Sequence, residues 1–361
     1  MPTIHHTVLR KFIYNLYIGA GGVAEDAKIV SDHLVDANLA GHDSHGVINT
    51  TVYTSAMKNG SSADKLEIIR ETPVNAVIDA HGALGMVASL KSMEIAIDKA
   101  KTNTVGIVGL HHCGHAGRMG DYPTRAATEG MIGIVLLNGG GRLMHPFGGS
   151  ARRIPPNPIA ISVPRKNGEP LLLDMTLTVV AGGKVNLKAA REEEMPEGWM
   201  IDPNGKPILD PTELRNNPQG SAIMPLGGFQ FGHKGFGLGF MIDAIAGGLS
   251  WAGCSRAQPT RGASGIVMMA IQIEAFIDLE SYQQEIEHLI EWVKSSPMLP
   301  GVEEIHVPGE IEAQNQKQRL EHGIYIEKTT WIQLIELSKS LGIQAPKSIN
   351  NVHLVDTTPE N

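Results

Sequence analysis

Gly19-Ala-Gly-Gly-Val-Ala24 has the spacing GxGxxA, and its reading decides the fold. In a dinucleotide-binding βαβ unit such a run follows a strand and opens a helix whose N-terminus faces a pyrophosphate. Here the residues before it are helical. Val8, Leu9, Phe12, Ile13, Leu16 and Tyr17 recur at three and four, which predicts a helix over 7–18. The residues after it open with Glu25 and Asp26, whose charges repel a phosphate. The run is therefore expected to be a glycine C-cap between two helices. No other turn combines a strand, GxGxxG, a helix and an acidic residue about twenty positions on, so a standard Rossmann unit is not expected.

Outward from this turn, a second helix is expected over 24–40, with Ala27, Val30, Leu34, Ala37 and Val35 facing inward. A third runs from about Thr50 to Lys58 and stops at Asn59-Gly60. Between them lies Gly41-His-Asp-Ser-His-Gly-Val-Ile-Asn49. Two histidines, His42 and His45, fall on the break between helices, and histidine exchanges a proton near neutral pH. Ser44 is placed to bond a substrate oxygen or to orient the His45 ring. The same residues also suit a structural reading, in which Asp43 and Ser44 cap the next helix and the histidines are solvated.

The pattern changes after Pro73. Strands are expected at Val74–Ala80, Val105–Leu110, Ile132–Leu137, Ile159–Val163, Leu171–Asp174 and about Ile266–Phe276. Helices are expected at Gly85–Lys101, Tyr122–Glu129, 280–294, Glu310–Glu321 and Thr330–Leu341, while 194–226 is proline-rich loop. The alternation predicts an α/β fold. A helical domain from residues 1–72 and 305–361 would bracket an α/β domain over 73–304. The last eight residues are expected to fray.

Composition limits the function classes. In 361 residues the net charge is −8 with dispersed basic residues, which argues against nucleic acid or an anionic membrane as partner. The longest apolar run, Gly235–Gly253, contains Asp243 and many glycines, so a buried helix is expected rather than a membrane span. Two cysteines, Cys113 and Cys254, make no disulfide framework, which suits a reducing cytoplasm. Met-Pro-Thr-Ile-His-His has neither a basic nor an apolar leader region, so no signal peptide is expected.

Three stretches could carry chemistry. His111-His-Cys-Gly-His-Ala-Gly-Arg-Met-Gly-Asp-Tyr122 follows a predicted strand. Three histidines and a cysteine within five residues invite a zinc reading, but Cys254 has no neighbouring His or Cys to complete a set, and no metal is expected. A substrate loop fits better, with His115 as hydrogen-bonding group and Arg118 as carboxylate clamp. Leu171-Leu-Leu-Asp-Met-Thr-Leu-Thr178 puts Asp174 at a strand end, placed to accept from ribose hydroxyls, to orient a histidine or to cap a helix over 178–190. Gly227-Gly-Phe-Gln-Phe-Gly-His-Lys-Gly-Phe-Gly-Leu-Gly239 reads as a glycine-rich helix entrance. Its backbone N–H groups and Lys234 would suit an anion.

Taken together, these motifs resemble the malate/L-lactate dehydrogenase superfamily of the type unrelated to the Rossmann enzymes. Asp43-Ser-His-Gly-Val47, His115…Gly120-Asp-Tyr122, Asn157-Pro-Ile-Ala-Ile-Ser-Val-Pro164, Leu172-Leu-Asp-Met175, Gly232-His-Lys-Gly235 and Val307-Pro-Gly-Glu310 carry the likeness, in the family's order. The wording of Ala40–Gly46 and Gly114–Gly120 is nearest the hydroxycarboxylate dehydrogenase B branch. The resemblance implies a homodimer with a non-Rossmann mixed-sheet cofactor domain and a helical domain built from both termini. It implies NAD or NADP as cofactor and a 2-oxo or 2-hydroxy acid of the malate, lactate or hydroxyphenylpyruvate type as substrate. His45 and His115 would be the catalytic residues, and Ser44, Asn49 and Arg118 the substrate-binding ones. Leu172, Leu173, Asp174, Met175, Thr176, Leu177, Thr178, His233, Lys234, Gly309, Glu310 and Ile311 would contact the cofactor. Related scaffolds also imply two alternatives, a reductase of cyclic imino acids or another ketone, and a non-catalytic binding protein.

Two positions depart from the family's pattern. Many members carry an arginine for the substrate carboxylate where this chain has Asn49, and the usual Gly-Thr before Asn-Pro is Pro155-Pro156. The first leaves Arg118 as the expected clamp, or changes the substrate. The second removes a hydroxyl and a backbone N–H.

Overall fold

A computed structural model describes residues 2–58, 65–139, 141–257 and 264–347. In chain order the elements begin with β1 (Thr3–Ile4), α1 (His6–Gly19), α2 (Ala24–Leu39), α3 (Thr50–Lys58), β2 (Glu67–Glu71), β3 (Asn75–Asp79), α4 (Gly85–Asn103) and β4 (Val105–His111). They continue with α5 (Asp121–Thr128), β5 (Met131–Asn138), β6 (Ile159–Val163), β7 (Leu171–Met175), α6 (Gly182–Ala190), β8 (Met200–Ile201), β9 (Pro207–Ile208) and α7 (Glu213–Asn216). The last are β10 (Ala222–Ile223), α8 (Gly228–Ile242), β11 (Gly265–Gln272), α9 (Leu279–Lys294), α10 (Glu310–His322), β12 (Ile324–Tyr325) and α11 (Lys328–Ser340). The expected stop of α3 at Asn59-Gly60 and the expected frayed C-terminus lie outside the described residues.

The chain forms two compact units, Met1–Ser62 with Glu310–Asn361, and Ala63–Gly309. The first holds α1, α2, α3, α10 and α11 and a short antiparallel pairing of β1 with β12. Its turn at Gly19–Ala24 is a helix terminus. Gly21 has φ +91°, its N–H donates to the Ile18 carbonyl at 2.9 Å, and the Gly22 N–H donates to the Tyr17 carbonyl at 2.9 Å. These are the two bonds of a Schellman C-cap, so the GxGxxA spacing closes a helix rather than a nucleotide site. The predicted inward faces are buried except for Val8, which is exposed: Leu9, Phe12, Ile13, Leu16 and Tyr17 of α1, and Ala27, Val30, Leu34, Val35 and Ala37 of α2. Each large aliphatic side chain among them contributes about 1.5–3 kcal/mol.

The second unit is built on a seven-stranded mixed sheet in the order β2-β3-β4-β11-β5-β6-β7. Only β3 and β4 pair in parallel, joined through α4, and every other neighbour pair is antiparallel. That mixture is the α/β, non-Rossmann sheet expected. Alternate residues of β11 serve opposite faces. Ile266, Met268 and Ala270 pack with Met93 and Ile97 of α4 and Tyr122 and Ala126 of α5. Val267 and Met269 pack with Leu136, Leu177 and Ile242. The helices lie close because glycine lets them: a Cβ on Gly106 would stand 1.8 Å from the Ala96 carbonyl oxygen, and one on Gly133 2.3 Å from that of Pro123.

Four sequence expectations are corrected. Residues 67–71, expected in the helical part, form β2, an exposed edge strand. Charged edges lack the buried alternation that marks a strand in sequence. The loop region 194–226 contains a small three-stranded sheet, β10-β8-β9. The helix expected over 178–190 begins at Gly182 with Ala181 at its N-cap. The glycine-rich helix, expected to be buried, hides only one face, as described below.

Candidate active site

The His45 loop consists of two single-turn 3-10 helices, Asp43–His45 and Val47–Asn49. Its conformation is fixed from α2 and α10. Asn38 Nδ2 donates to Asp43 Oδ1 (2.6 Å), and the Val47 N–H donates to Asn38 Oδ1 (2.8 Å). Arg319 grips both Asp43 oxygens, at 2.6 and 3.1 Å, and also the Asn38 carbonyl at 2.5 Å. Gly46 is required here, since a Cβ would stand 2.2 Å from Asn38 Oδ1. Asp43 is thus an anchor rather than a helix cap. Ser44 Oγ lies 3.1 Å from His45 Nδ1 and so orients the ring through that nitrogen. His42 Nε2 faces Glu312 Oε1 at 3.3 Å, a structural contact to α10. Asn49, expected to contact substrate, donates its amide to the Ser44 carbonyl at 3.0 Å and the Gly46 carbonyl at 3.3 Å. The side chain at the departed position therefore closes the histidine's own loop. Sequence reading missed Asn38 and Arg319. The available signal was a polar residue, Asn38, one step past the apolar stripe of α2.

In the second unit His115 is exposed at the exit of β4. Its Nδ1 accepts the Gly117 N–H at 3.2 Å, which in the neutral ring puts the proton on Nε2. Arg118 is buried, with Nη1 donating to Asp121 Oδ1 at 3.0 Å. One edge of the fork offered to a carboxylate is thus engaged by an acid of its own loop. Cys113 is buried, and burial pushes its thiol up to about 12, so it offers no thiolate near neutral pH.

Asp174 does not cap the helix expected over 178–190, which starts at Gly182. It lies in β7, and its Oδ2 accepts the Gly120 N–H at 2.7 Å, at the N-terminus of α5. The carboxylate therefore complements a helix N-terminus and joins β7 to the His115 loop. Beyond β7, Thr176 Oγ1 lies 3.1 Å from Thr178 Oγ1, Thr178 Oγ1 donates to the Val180 carbonyl, and Leu177 is fully buried. The Leu172 N–H donates to the Pro308 carbonyl at 3.1 Å. Gly309 has φ +94°, and a Cβ on it would lie 3.0 Å from Leu172 N. Leu172 and Gly309, distant in sequence, are thus brought together. Glu310 and Ile311 open α10 in the other unit.

The glycine-rich stretch departs most from expectation. α8 begins at Gly228, after Gly227 with φ +96°, so His233 and Lys234 lie in its second turn. The N–H groups of 232–239 are inside the helix rather than presented to an anion. The glycines serve packing instead. Gly232, Gly235 and Gly239 are buried, and a Cβ on Gly235 would stand 2.4 Å from the Leu226 carbonyl oxygen. Phe229, Phe231, Phe240 and Met241 remain more than half exposed. The His233 ring stands edge-on to Phe147 at 5.6 Å, and Lys234 Nζ lies 5.5 Å above the Phe231 ring. Pro155-Pro156 leads into Asn157, which is buried at φ +40° and donates to the Gly239 carbonyl at 2.8 Å and Asp243 at 3.2 Å.

Comparison with known proteins places this geometry. The family profile described as malate/L-lactate dehydrogenase matches residues 4–335. Malate dehydrogenase of Pyrococcus horikoshii is 38% identical over 345 residues, covering 93% of this chain and 94% of its own. Hydroxycarboxylate dehydrogenase B of Escherichia coli O157:H7 is 30% identical over 343 residues, covering 93% of each chain. The crystal structure of malate dehydrogenase from Entamoeba histolytica superposes with a TM-score of 0.91 at 28% identity, covering 96% of this chain and 99% of that one. With the mixed sheet, the SHGV loop and the β7–α5 linkage in place, the chain belongs to the malate/L-lactate dehydrogenase family of oxidoreductases.

Proposed function

We propose that the protein is an NAD(P)H-dependent oxidoreductase interconverting a 2-oxo acid and its 2-hydroxy acid. The observation that supports this best is the bond from the Gly120 N–H to Asp174 Oδ2. It makes one assembly of two stretches, His115–Tyr122 and Leu172–Thr178, that the family resemblance gives to substrate and cofactor. NAD or NADP would be held by Leu172–Thr178, His233, Lys234 and Gly309–Ile311. The residues suit it: β7 is a half-buried edge strand, the glycine at 309 leaves a cradle that a Cβ would fill, and Lys234 carries a cation on an exposed surface. When bound, the nicotinamide supplies or accepts the hydride.

The chain's own residues handle the proton. His45 protonates the substrate oxygen in the direction of reduction, its ring held by Ser44. His115, protonated on Nε2, hydrogen-bonds the substrate. Arg118 pairs with the carboxylate, its plane set by Asp121. The partners in this reading are a small 2-oxo or 2-hydroxy acid and a second copy of the chain in a homodimer, with no nucleic acid or membrane and a cytoplasmic setting. Among the described residues no helix is long and apolar enough to cross a membrane.

The test is nicotinamide absorbance with NADH and separately NADPH against pyruvate, oxaloacetate, phenylpyruvate, hydroxyphenylpyruvate and cyclic imines. Turnover of an oxo acid supports the proposal and identifies the cofactor. Turnover of imines alone replaces the substrate class, and absence of any cofactor-induced thermal shift favours a non-catalytic binding protein.

A further inference from the structure

We propose that Asp79, His81 and His112 form a binding site for one divalent ion of the zinc class. One donor atom from each lies within 4.8 Å of those of the other two. His112 Nδ1 is 3.0 Å and His81 Nδ1 3.7 Å from the same oxygen, Asp79 Oδ1. Ligands of a tetrahedral zinc with bonds near 2.0–2.1 Å stand about 3.3 Å apart, so the spacing is close to that of a ligand set.

The surroundings match what such a set requires. His81 Nε2 lies 2.8 Å from Glu67 Oε2. In the neutral ring this partner puts the proton on Nε2 and leaves the Nδ1 lone pair facing Asp79. That is the carboxylate–histidine–metal arrangement in which an outer acid fixes the ligand's tautomer. Without a cation or proton between them, the Nδ1 lone pair and the carboxylate oxygen repel. Asp79 Oδ2, the other oxygen, faces buried His111 Nε2 at 3.5 Å. Asp79 Oδ1 also accepts the His81 backbone N–H at 2.8 Å, which fixes the carboxylate against the turn that carries His81.

The frame is rigid. Asp79 ends β3, next to its parallel partner β4, which His112 follows. The Gly82 N–H donates to the His112 carbonyl at 2.8 Å, and the Gly114 N–H to the Ala83 carbonyl at 2.9 Å. His81 and His112 are exposed, which leaves room for water to complete the coordination. Two imidazoles and one carboxylate suit Zn²⁺, Co²⁺ or Ni²⁺ better than Mg²⁺ or Ca²⁺, which take oxygen ligands. The ion would tie the β3 and β4 exits together three residues before His115. This cluster differs from the local His111–His115 set considered in sequence, because Asp79 ends the preceding strand and His81 lies in the turn after it.

The test is a titration of the chelator-stripped full-length protein with Zn²⁺ by calorimetry and with Co²⁺ by visible absorption. Wild type is expected to bind a saturable equivalent, with Co²⁺ giving ligand-field bands. The double variant His81→Asn, His112→Asn is expected to lose that equivalent, with affinity down at least about 100-fold. Asparagine suits the left-handed φ of +46° and +55° at these positions, and circular dichroism checks the fold. Glu67→Gln should weaken binding about 10-fold through the outer partner alone. Absence of saturable Zn²⁺ and Co²⁺ binding by wild type overturns the proposal, as does undiminished binding by the double variant. If the double variant does not fold, Asp79→Asn replaces it under the same two outcomes.

Discussion

At the scale of single residues, His45 is positioned by neighbours that each have a second tie. Ser44 bonds its Nδ1, Asn49 holds the Ser44 carbonyl, and Asp43 is held by Asn38 and Arg319. A histidine so placed can deliver a proton along one direction without first paying an ordering cost. His45→Ala is therefore expected to lower kcat about 10²–10⁴-fold, the usual worth of general acid–base catalysis, while cofactor affinity read by nucleotide fluorescence stays near wild type. Ser44→Ala should lower kcat by less, because the ring loses its guide and keeps its nitrogen. If His45→Ala retains turnover, the proton belongs to His115. The sequence shows why His45 is suited to this work, a near-neutral side chain on a helix break, but not what holds it. Asp43 and Arg319 are separated by most of the chain, and a bidentate pair of that kind has no local signature.

At the scale of elements, legibility follows how a segment earns its burial. α1 and α2 bury an apolar stripe at helical period, and their ranges and inward faces were readable. β2 is fully exposed, and α8 reverses the usual rule by burying glycine and exposing phenylalanine, so apolar periodicity misleads in both. α9 is a third kind. Its range was readable, yet only Ile290 is buried among its residues. Polar contacts hold it instead: Glu287 takes Arg165 at 3.1 and 3.0 Å and accepts the Lys166 and Asn167 N–H groups at 3.1 Å. The Arg165 hydrogen bond, outweighing burial, holds the Glu287 carboxyl below its ordinary value. A carboxyl lowered by folding contributes stability that is fully present above its unfolded pKa, about 4.3, and is lost as pH falls through the lower folded value. Glu287→Gln should therefore cost about 2 kcal/mol in denaturant unfolding at pH 7. The gap between variant and wild type should narrow in acid, below about pH 4. A gap independent of pH would mean that α9 is held by something other than this ion pair.

At the scale of the whole molecule, the α/β class and the absence of a Rossmann turn were legible because glycine spacing, helical period and acidic flanks agreed at Gly19–Asp26. Assembly was not, because a surface that joins copies looks in sequence like a surface that joins elements. The outer side of α8 and the turns after it expose Phe229, Phe231, Phe240, Met241, Leu249 and Trp251, each at 54–62%. So many large apolar side chains exposed on one short segment is more than a monomer usually leaves in water. The buried side is fixed by glycines whose Cβ atoms would strike Leu226 and Pro225, so the helix cannot roll to hide its aromatics. A second copy of the chain is the occupant proposed for this surface, in keeping with the homodimer implied by family resemblance. Sedimentation equilibrium of wild type should then give twice the chain mass at micromolar concentration, and Phe240→Glu with Met241→Glu should give a folded monomer. Those residues lie on the exposed side of α8, so a loss of the dimer with unchanged circular dichroism assigns the interface to this face. A wild-type monomer removes the homodimer from the proposal, and a variant that remains dimeric moves the interface to another surface, where exposed Phe276, Trp292 and Leu299 near α9 are the next to test.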